Sequence, residues 1–284
     1  MKFRIALAQM DPVLGDMRRN VEKHVELAGR AAAAGAHLVV FPELSLTGYS
    51  IKDMNWDLAV NPRREVGMLA PLVKKSKEIS ILAGGVEEGD GFGLYNAAFY
   101  FEGGSVRAVH RKSYPPTYGM FEETRYFSRG TEVRAFDTMH GRLGVLICED
   151  LWHLTLPYIL ALDGAGVIIT LVASPTRISG TEKHPQIATV NSENHSAYAR
   201  LLSTYIAFCN RVGFEDGVNF WGGSEVVAPN GTRLVGAKLF EEDLVTADID
   251  ENELRRARRF SRHFLDDDPQ ILNTELHRIL KGEP

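Results

Sequence analysis

The sequence predicts an α/β fold built in layers. Strand and helix patterns alternate over roughly the first forty residues, apolar strand runs recur along the rest of the chain, and hairpin signals separate several of them. Residues 3–10 begin with apolar–polar alternation and read as a strand. A polar stretch from Asp16 follows, and then Val21, Val25, Ala28, Ala31 and Ala32 recur at helical spacing. Gly35 stands where a helix C-terminal glycine belongs. Residues 37–41 form a short apolar run that ends at Pro42 and reads as a buried strand. A helical stretch over 64–79 leads into a strand at 80–85 with a glycine end. Residues 95–101 and 105–111 flank Glu102-Gly103-Gly104, a hairpin signal. Residues 142–148 and 167–172 are further apolar strands, and 191–207 reads as a helix. Residues 226–234 carry Pro229-Asn230-Gly231, a second hairpin turn. With no internal repeat or low-complexity linker, the economical reading is one domain over 1–250 and an extension over 251–284.

Composition narrows the function. The chain has 284 residues, 44% apolar and 24% charged, which suffices for a sizeable core. A formal charge of −5 gives no reason to expect nucleic acid or an anionic membrane as partner. The basic run Arg255-Arg256-Ala257-Arg258-Arg259 precedes Asp266-Asp267-Asp268, and such mixed charge suits a solvated tail or a subunit contact. Two cysteines, Cys148 and Cys209, make neither a disulfide framework nor a four-cysteine metal cluster. The N-terminus lacks a signal-peptide apolar segment, and no apolar run reaches about 18 residues. A soluble cytoplasmic protein is expected.

Three strand ends carry candidate chemistry. Glu43, in Phe41-Pro42-Glu43-Leu44, lies just past an apolar strand, where open α/β sheets bind ligands. Lys112, in His110-Arg111-Lys112, leads into Pro115-Pro116-Thr117-Tyr118-Gly119, a rigid, turn-rich loop of the kind that shapes pockets. Cys148 ends the most apolar strand pattern and is followed by Glu149, Asp150 and Trp152, a polar flank that a structural core cysteine does not require. Singly, each has an ordinary reading as loop acid, edge lysine or small buried residue. Together they supply what a thiol nucleophile needs. A free thiol is only about a few per cent ionised at neutral pH, so it wants a base or a cation beside it. A carboxylate takes the thiol proton and delivers it to the leaving amine, while an ammonium holds the oxyanion. Cys209, in an apolar strand with no acidic neighbour, reads as structural, and His195 as a surface or satisfied histidine. No histidines show metal-ligand spacing.

The spaced set FPEL, HRK and CED resembles the nitrilase-type carbon–nitrogen hydrolase superfamily. Its longer flanks, residues 42–49, 118–127 and 147–152, resemble the glutaminase domain of glutamine-dependent NAD synthetases, and the likeness covers most of residues 3–250. The resemblance implies a four-layer α-β-β-α sandwich with two mixed sheets, and subunits that assemble as a homodimer or higher homo-oligomer. It implies hydrolysis of a small carboxamide, glutamine or a related ω-amide, with no metal or organic cofactor. Carried over position by position, it makes Glu43 the general base, Lys112 the oxyanion-side cation and Cys148 the nucleophile. Glu123 matches a second carboxylate that orients the lysine, and the Glu149 backbone N–H completes the oxyanion hole. Tyr49, Tyr118, Phe121, Glu149 and Ser174 fall where that branch contacts the α-amino and α-carboxylate ends of its substrate. The branch's basic residue after its serine–proline pair is displaced here, which makes Arg177 the candidate cation for the substrate carboxylate.

From its 284 residues, with no Gly-rich phosphate loop among them, the chain is expected to lack an ATP-using synthetase domain. Ammonia is therefore expected to reach solvent or a separate ammonia-using enzyme. The same triad also serves N-carbamoyl amine hydrolysis, aliphatic amide hydrolysis and nitrile hydrolysis. From another class comes a non-catalytic or ammonia-supplying subunit of a separate synthetase. The presence of Glu43, Lys112, Cys148 and Glu123 together argues against a dead scaffold.

Overall fold

The computed structural model describes residues 2–62, 64–176 and 184–282. In the first half, β1 (Lys2–Gln9), α1 (Met17–Ala33) and β2 (Leu38–Val40) are followed by the short helices α2 (Asn55–Leu58) and α3 (Ala70–Lys75). Then come β3 (Ser80–Glu88), β4 (Leu94–Glu102), β5 (Ser105–Arg111) and a single turn of helix, α4 (Glu123–Tyr126). The second half starts with β6 (Phe136–Thr138), β7 (Gly141–Ile147), α5 (Thr155–Leu162), β8 (Val167–Val172) and β9 (Pro175–Thr176). It continues through α6 (Gln186–Leu202), β10 (Tyr205–Asn210), β11 (Val212–Glu215), β12 (Val218–Trp221), β13 (Glu225–Val227) and β14 (Arg233–Gly236). The chain closes with β15 (Asp243–Asp250), α7 (Glu251–Phe260) and α8 (Pro269–Lys281).

The strands form two six-stranded mixed sheets, ordered β15-β1-β2-β3-β4-β5 and β14-β13-β10-β8-β7-β6, with a small sheet β11-β12-β9 beside them. Strand alternation then builds the layers. Ile5, Leu7 and Val40 of the first sheet meet Val145, Ile147, Ile169 and Leu171 of the second, so the sheets pack face to face. The alternate residues Ala6, Ala8 and Val39 pack instead under Val21 and Ala28 of α1 and Leu72 of α3. On the far side, Leu146, Ile168 and Ile206 pack under Leu160 of α5 and Ala199 of α6. The order is helix, sheet, sheet, helix. Each fully buried large aliphatic side chain in this core contributes about 1.5–3 kcal/mol.

Strand direction places the site. β2 is parallel to β3, and β5 returns to that direction after antiparallel β4, so β2 and β5 end at the same edge. β7 and β8 run parallel in the second sheet. The edges of the two sheets meet where the Ala173 N–H, just past β8, donates to Glu43 Oε2 at 2.9 Å.

Four sequence expectations need correction. The helix expected over 64–79 is cut down to α3 and a 3₁₀ turn at Gly67–Leu69, because Pro71 suits only the first helical turn and Gly67 adopts a positive φ. The strand expected over 80–85 continues through both glycines to Glu88, paired throughout with β4. The helix expected over 191–207 begins earlier, at Gln186, and stops at Leu202, where Ser203 takes a left-handed conformation. Tyr205 and Ile206, with the aromatic and β-branched character of strand residues, then pair with β8. Cys148 lies outside the strand and opens a 3₁₀ turn, Cys148–Trp152.

The C-terminal region divides in two. Leu254 of α7 is buried in the core between the sheets, whereas α8 has no buried residue. No described helix is long and apolar enough to cross a membrane.

Candidate active site

Glu43, Lys112 and Cys148 each stand at a place where a strand stops. After β2, Pro42 and a compact turn project Glu43 inward, and Leu44 takes a positive φ of 48°. The turn lies directly on β3 at Gly84, where a Cβ would fall 2.5 Å from the Leu44 N and 2.6 Å from the Pro42 O. Only glycine allows that approach. Lys112 follows β5, and its backbone N–H donates to the Asn96 carbonyl. Cys148 follows β7 with φ 48°, a conformation that few non-glycine residues adopt.

Asp150 ties two of these ends together. Its Oδ1 accepts from the backbone N–H of Ser113 at 3.0 Å and of Tyr114 at 2.9 Å, while its Oδ2 accepts from Ile147 N–H at 3.1 Å. One fully buried carboxylate therefore fixes the segment after Lys112 to the residue before Cys148. Asn210, at the end of β10, similarly holds the Ser174 N–H at 2.9 Å.

The charged cluster is buried and dense. Lys112 Nζ lies 2.7 Å from Glu43 Oε1 and 2.7 Å from Glu123 Oε1. Asn96 Nδ2 donates to Glu43 Oε1 at 2.7 Å, and the Tyr49 hydroxyl donates to Glu123 Oε1 at 2.6 Å. Burial alone would pull the Lys112 ammonium down, but Glu123 and Glu43 outweigh it and hold its pKa well above the ordinary lysine value. Burial, reinforced by Glu43 and opposed by Lys112, lifts Glu123 to about 7. Burial, reinforced by Glu43, also holds the Cys148 thiol well above its usual pKa despite Lys112. Cys148 is therefore a neutral thiol at rest. An ammonium has three N–H donors, and the two carboxylates take two, leaving one for a developing oxyanion.

The remaining sequence candidates surround this cluster unevenly. Phe121 packs edge-on against Tyr49 and Tyr118, with ring centroids 6.4 and 5.5 Å away. Tyr118 is exposed, and its hydroxyl donates to Glu149 Oε2 at 2.7 Å. Ser174 Oγ accepts from Trp221 Nε1 at 3.0 Å. Ser174 and Cys148 line a small cavity shared with Trp152 and Tyr198. Tyr49 and Glu123 line a separate cavity of about 250 Å³. Larger hollows of about 520 and 560 Å³ are not lined by Glu43, Lys112 or Cys148. Arg177 lies outside the described residues. His195 is buried, with Nδ1 2.7 Å from Glu225, and Cys209 is buried with its thiol donating to the Val40 carbonyl at 3.3 Å. Among the described residues, no group of three or more His, Cys, Asp or Glu side chains is arranged to hold a metal ion.

Sequence reasoning missed Asn96 and gave Asp150 no role. Asn96 had one signal, a polar residue at a buried position of an otherwise apolar strand.

A sequence model of the carbon–nitrogen hydrolase family matches residues 4–259. The chain belongs to the carbon–nitrogen hydrolase family. Among relatives of this hydrolase, the glutamine-dependent NAD(+) synthetase of Thermotoga maritima is 32% identical over 255 residues, covering 89% of this chain and 43% of that protein. The solved glutamine-dependent NAD+ synthetase of Acinetobacter baumannii superposes with a TM-score of 0.81 at 31% identity, covering 89% of this chain and 47% of that one. The hydrolase thus spans about half the length of those relatives. A carbon–nitrogen hydrolase from Helicobacter pylori shares the fold, with a TM-score of 0.87 at 24% identity over 97% of this chain and 99% of that one. This chain is an amidohydrolase of that family, related to the glutaminase part of the synthetases.

Proposed function

We propose that this hydrolase cleaves the side-chain amide of glutamine, or of a related ω-amide, to the acid and ammonia through a thioester on Cys148. The observation that carries the reading is the Glu43–Lys112–Glu123 cluster, buried beside a neutral thiol. Cys148 Sγ attacks the amide carbon as its proton passes to Glu43, and the third Lys112 N–H with the Glu149 backbone N–H holds the oxyanion. Collapse breaks the C–N bond while Glu43 returns the proton to the leaving nitrogen, releasing ammonia. Glu43 then takes a proton from water, whose hydroxyl adds to the thioester carbon. The C–S bond breaks, and the proton returns to sulfur. Glu123 and Asn96 keep Lys112 and Glu43 in register throughout, and no cofactor takes part.

Glutamine specificity rests on the rim. Glu149, adjacent to the nucleophile and hydrogen-bonded to Tyr118, offers negative charge to an α-ammonium group. Tyr49, Phe121 and Ser174 shape the surroundings, and Arg177 supplies the cation for the α-carboxylate. Ammonia release from glutamine, asparagine, aliphatic amides, N-carbamoyl amino acids and nitriles tests the assignment, with Cys148→Ala as control. Cys148-dependent turnover of glutamine that falls far more than aliphatic amide turnover in Glu149→Gln supports it. Turnover of aliphatic amides or nitriles alone removes the pocket assignment.

The exposed Ile271, Leu276, Ile279 and Leu280 of α8 suit a homo-oligomer in which a second copy covers them. A monomeric mass in solution refutes that. An unpaired Cys148 suits a reducing, cytoplasmic setting, with ammonia leaving to solvent or to a separate acceptor enzyme.

A further inference from the structure

A groove of about 460 Å³ lies between α7 and the amino ends of β7 and β8. Leu254 and Leu265 give it an apolar lining, Gly141, Gly164 and Gly166 line it beside Arg142, whose side chain lies over Gly164, and Glu251 adds one carboxylate. Opposite them stand Arg255, Arg258 and Arg259 of α7. The charges there are unevenly matched. Arg142, also in the groove, pairs with Asp137 at 3.1 Å and Asp163 at 2.7 Å, and Arg255 lies 3.7 Å from Glu251. Arg258 and Arg259 have no carboxylate within ion-pair distance among the described residues.

Arg258 is the more informative of the two. It is half-buried, and its Nε is shut off from solvent with no hydrogen-bond partner. Its guanidinium sits 5.3 Å from the Phe264 ring centroid, and burial draws its pKa below the usual arginine value. A cation partly stripped of water and left without a counter-charge is destabilising, and an anion relieves it.

We propose that this groove binds a small phosphate-type dianion, held by Arg258 and Arg259. Guanidinium forks match phosphate oxygens two at a time. Leu254 and Leu265 receive the organic body of a phosphomonoester. The groove's size suits a metabolite. Gly141 and Ile147 are the two ends of seven-residue β7, so the groove lies on the order of 20 Å from Cys148 and its ligand is not the amide substrate.

Titration calorimetry on the full chain tests this with inorganic phosphate and phenyl phosphate as probes, ionic strength being held constant with chloride. Saturable binding of one anion per chain is expected, weakened at least about tenfold in Arg258→Met and in Arg259→Met. Arg259 is exposed, so its replacement leaves folding intact. Arg18→Met, at an exposed ion pair on α1, should bind as the wild type does. Tighter binding of phenyl phosphate identifies a phosphomonoester as the ligand, and equal binding identifies free phosphate. Failure of both probes to bind, or undiminished binding by the Arg259→Met protein, overturns the proposal.

Discussion

Glu123→Gln isolates the cost of keeping a second carboxylate beside Glu43. In the folded protein Glu123 holds its proton more tightly than in the unfolded chain, because burial and the nearby Glu43 raise its pKa from 4.5 to about 7 against the pull of Lys112. A raised pKa gives a contribution to stability that is fully present below pH 4.5 and lost as pH rises through about 7. At about 1.4 kcal/mol per pH unit, the loss across that window is on the order of 3 kcal/mol. Lys112 and Cys148 keep their protons over the same range, since both are held well above their ordinary values. Glutamine resembles the protonated acid and does not titrate. Urea unfolding of both proteins from about pH 4 to pH 8 reads the difference directly. The stability of Glu123→Gln relative to wild type should rise by about 3 kcal/mol across the series. A flat difference, or one that falls with pH, would mean that Lys112 holds Glu123 ionised and would refute the assignment of its proton.

The other predictions concern how the cluster is positioned. Cys148→Ala should lose all turnover, while Cys209→Ala should keep turnover within about twofold and lose about 1 kcal/mol of stability, as for a small buried side chain; ammonia release and urea unfolding read both, and the reverse pattern overturns the site. Gly84→Ala should lower kcat on the order of 100-fold by displacing the Glu43 turn, with a stability cost of about 1–3 kcal/mol. Wild-type kinetics in that variant would show that the turn tolerates displacement. Asp150→Ala should cost about 3 kcal/mol or more, because the Ser113, Tyr114 and Ile147 N–H groups lose their acceptor. A thermal shift of only a degree or two would show that water replaces it.

Much of the site was legible because its chemistry interrupts simple patterns. Glu43, Lys112 and Cys148 each follow a run whose composition already reads as a strand, so a polar residue there marks a sheet edge. Asn96 and Asp150 were harder to read. Their roles depend on which backbone lies across from them, and spacing along the chain does not reveal that β4 brings Asn96 under both carboxylates. The same limit explains the boundary between α6 and β10. Residues 191–207 keep enough helical character locally, but pairing with β8 decides the fate of Tyr205 onward. The end of β3 was missed for a different reason. Its two glycines look like a stop until the Glu43 turn is seen lying on Gly84.

The most direct test of the central claim is covalent capture of the nucleophile by a glutamine-shaped chloroketone, followed by intact mass measurement and peptide mapping. One label per chain is predicted, on the peptide carrying Cys148, with labelling slowed by added glutamine and by Glu43→Gln. Labelling at Cys209, no labelling at all, or labelling of Cys148 that glutamine does not slow would contradict it.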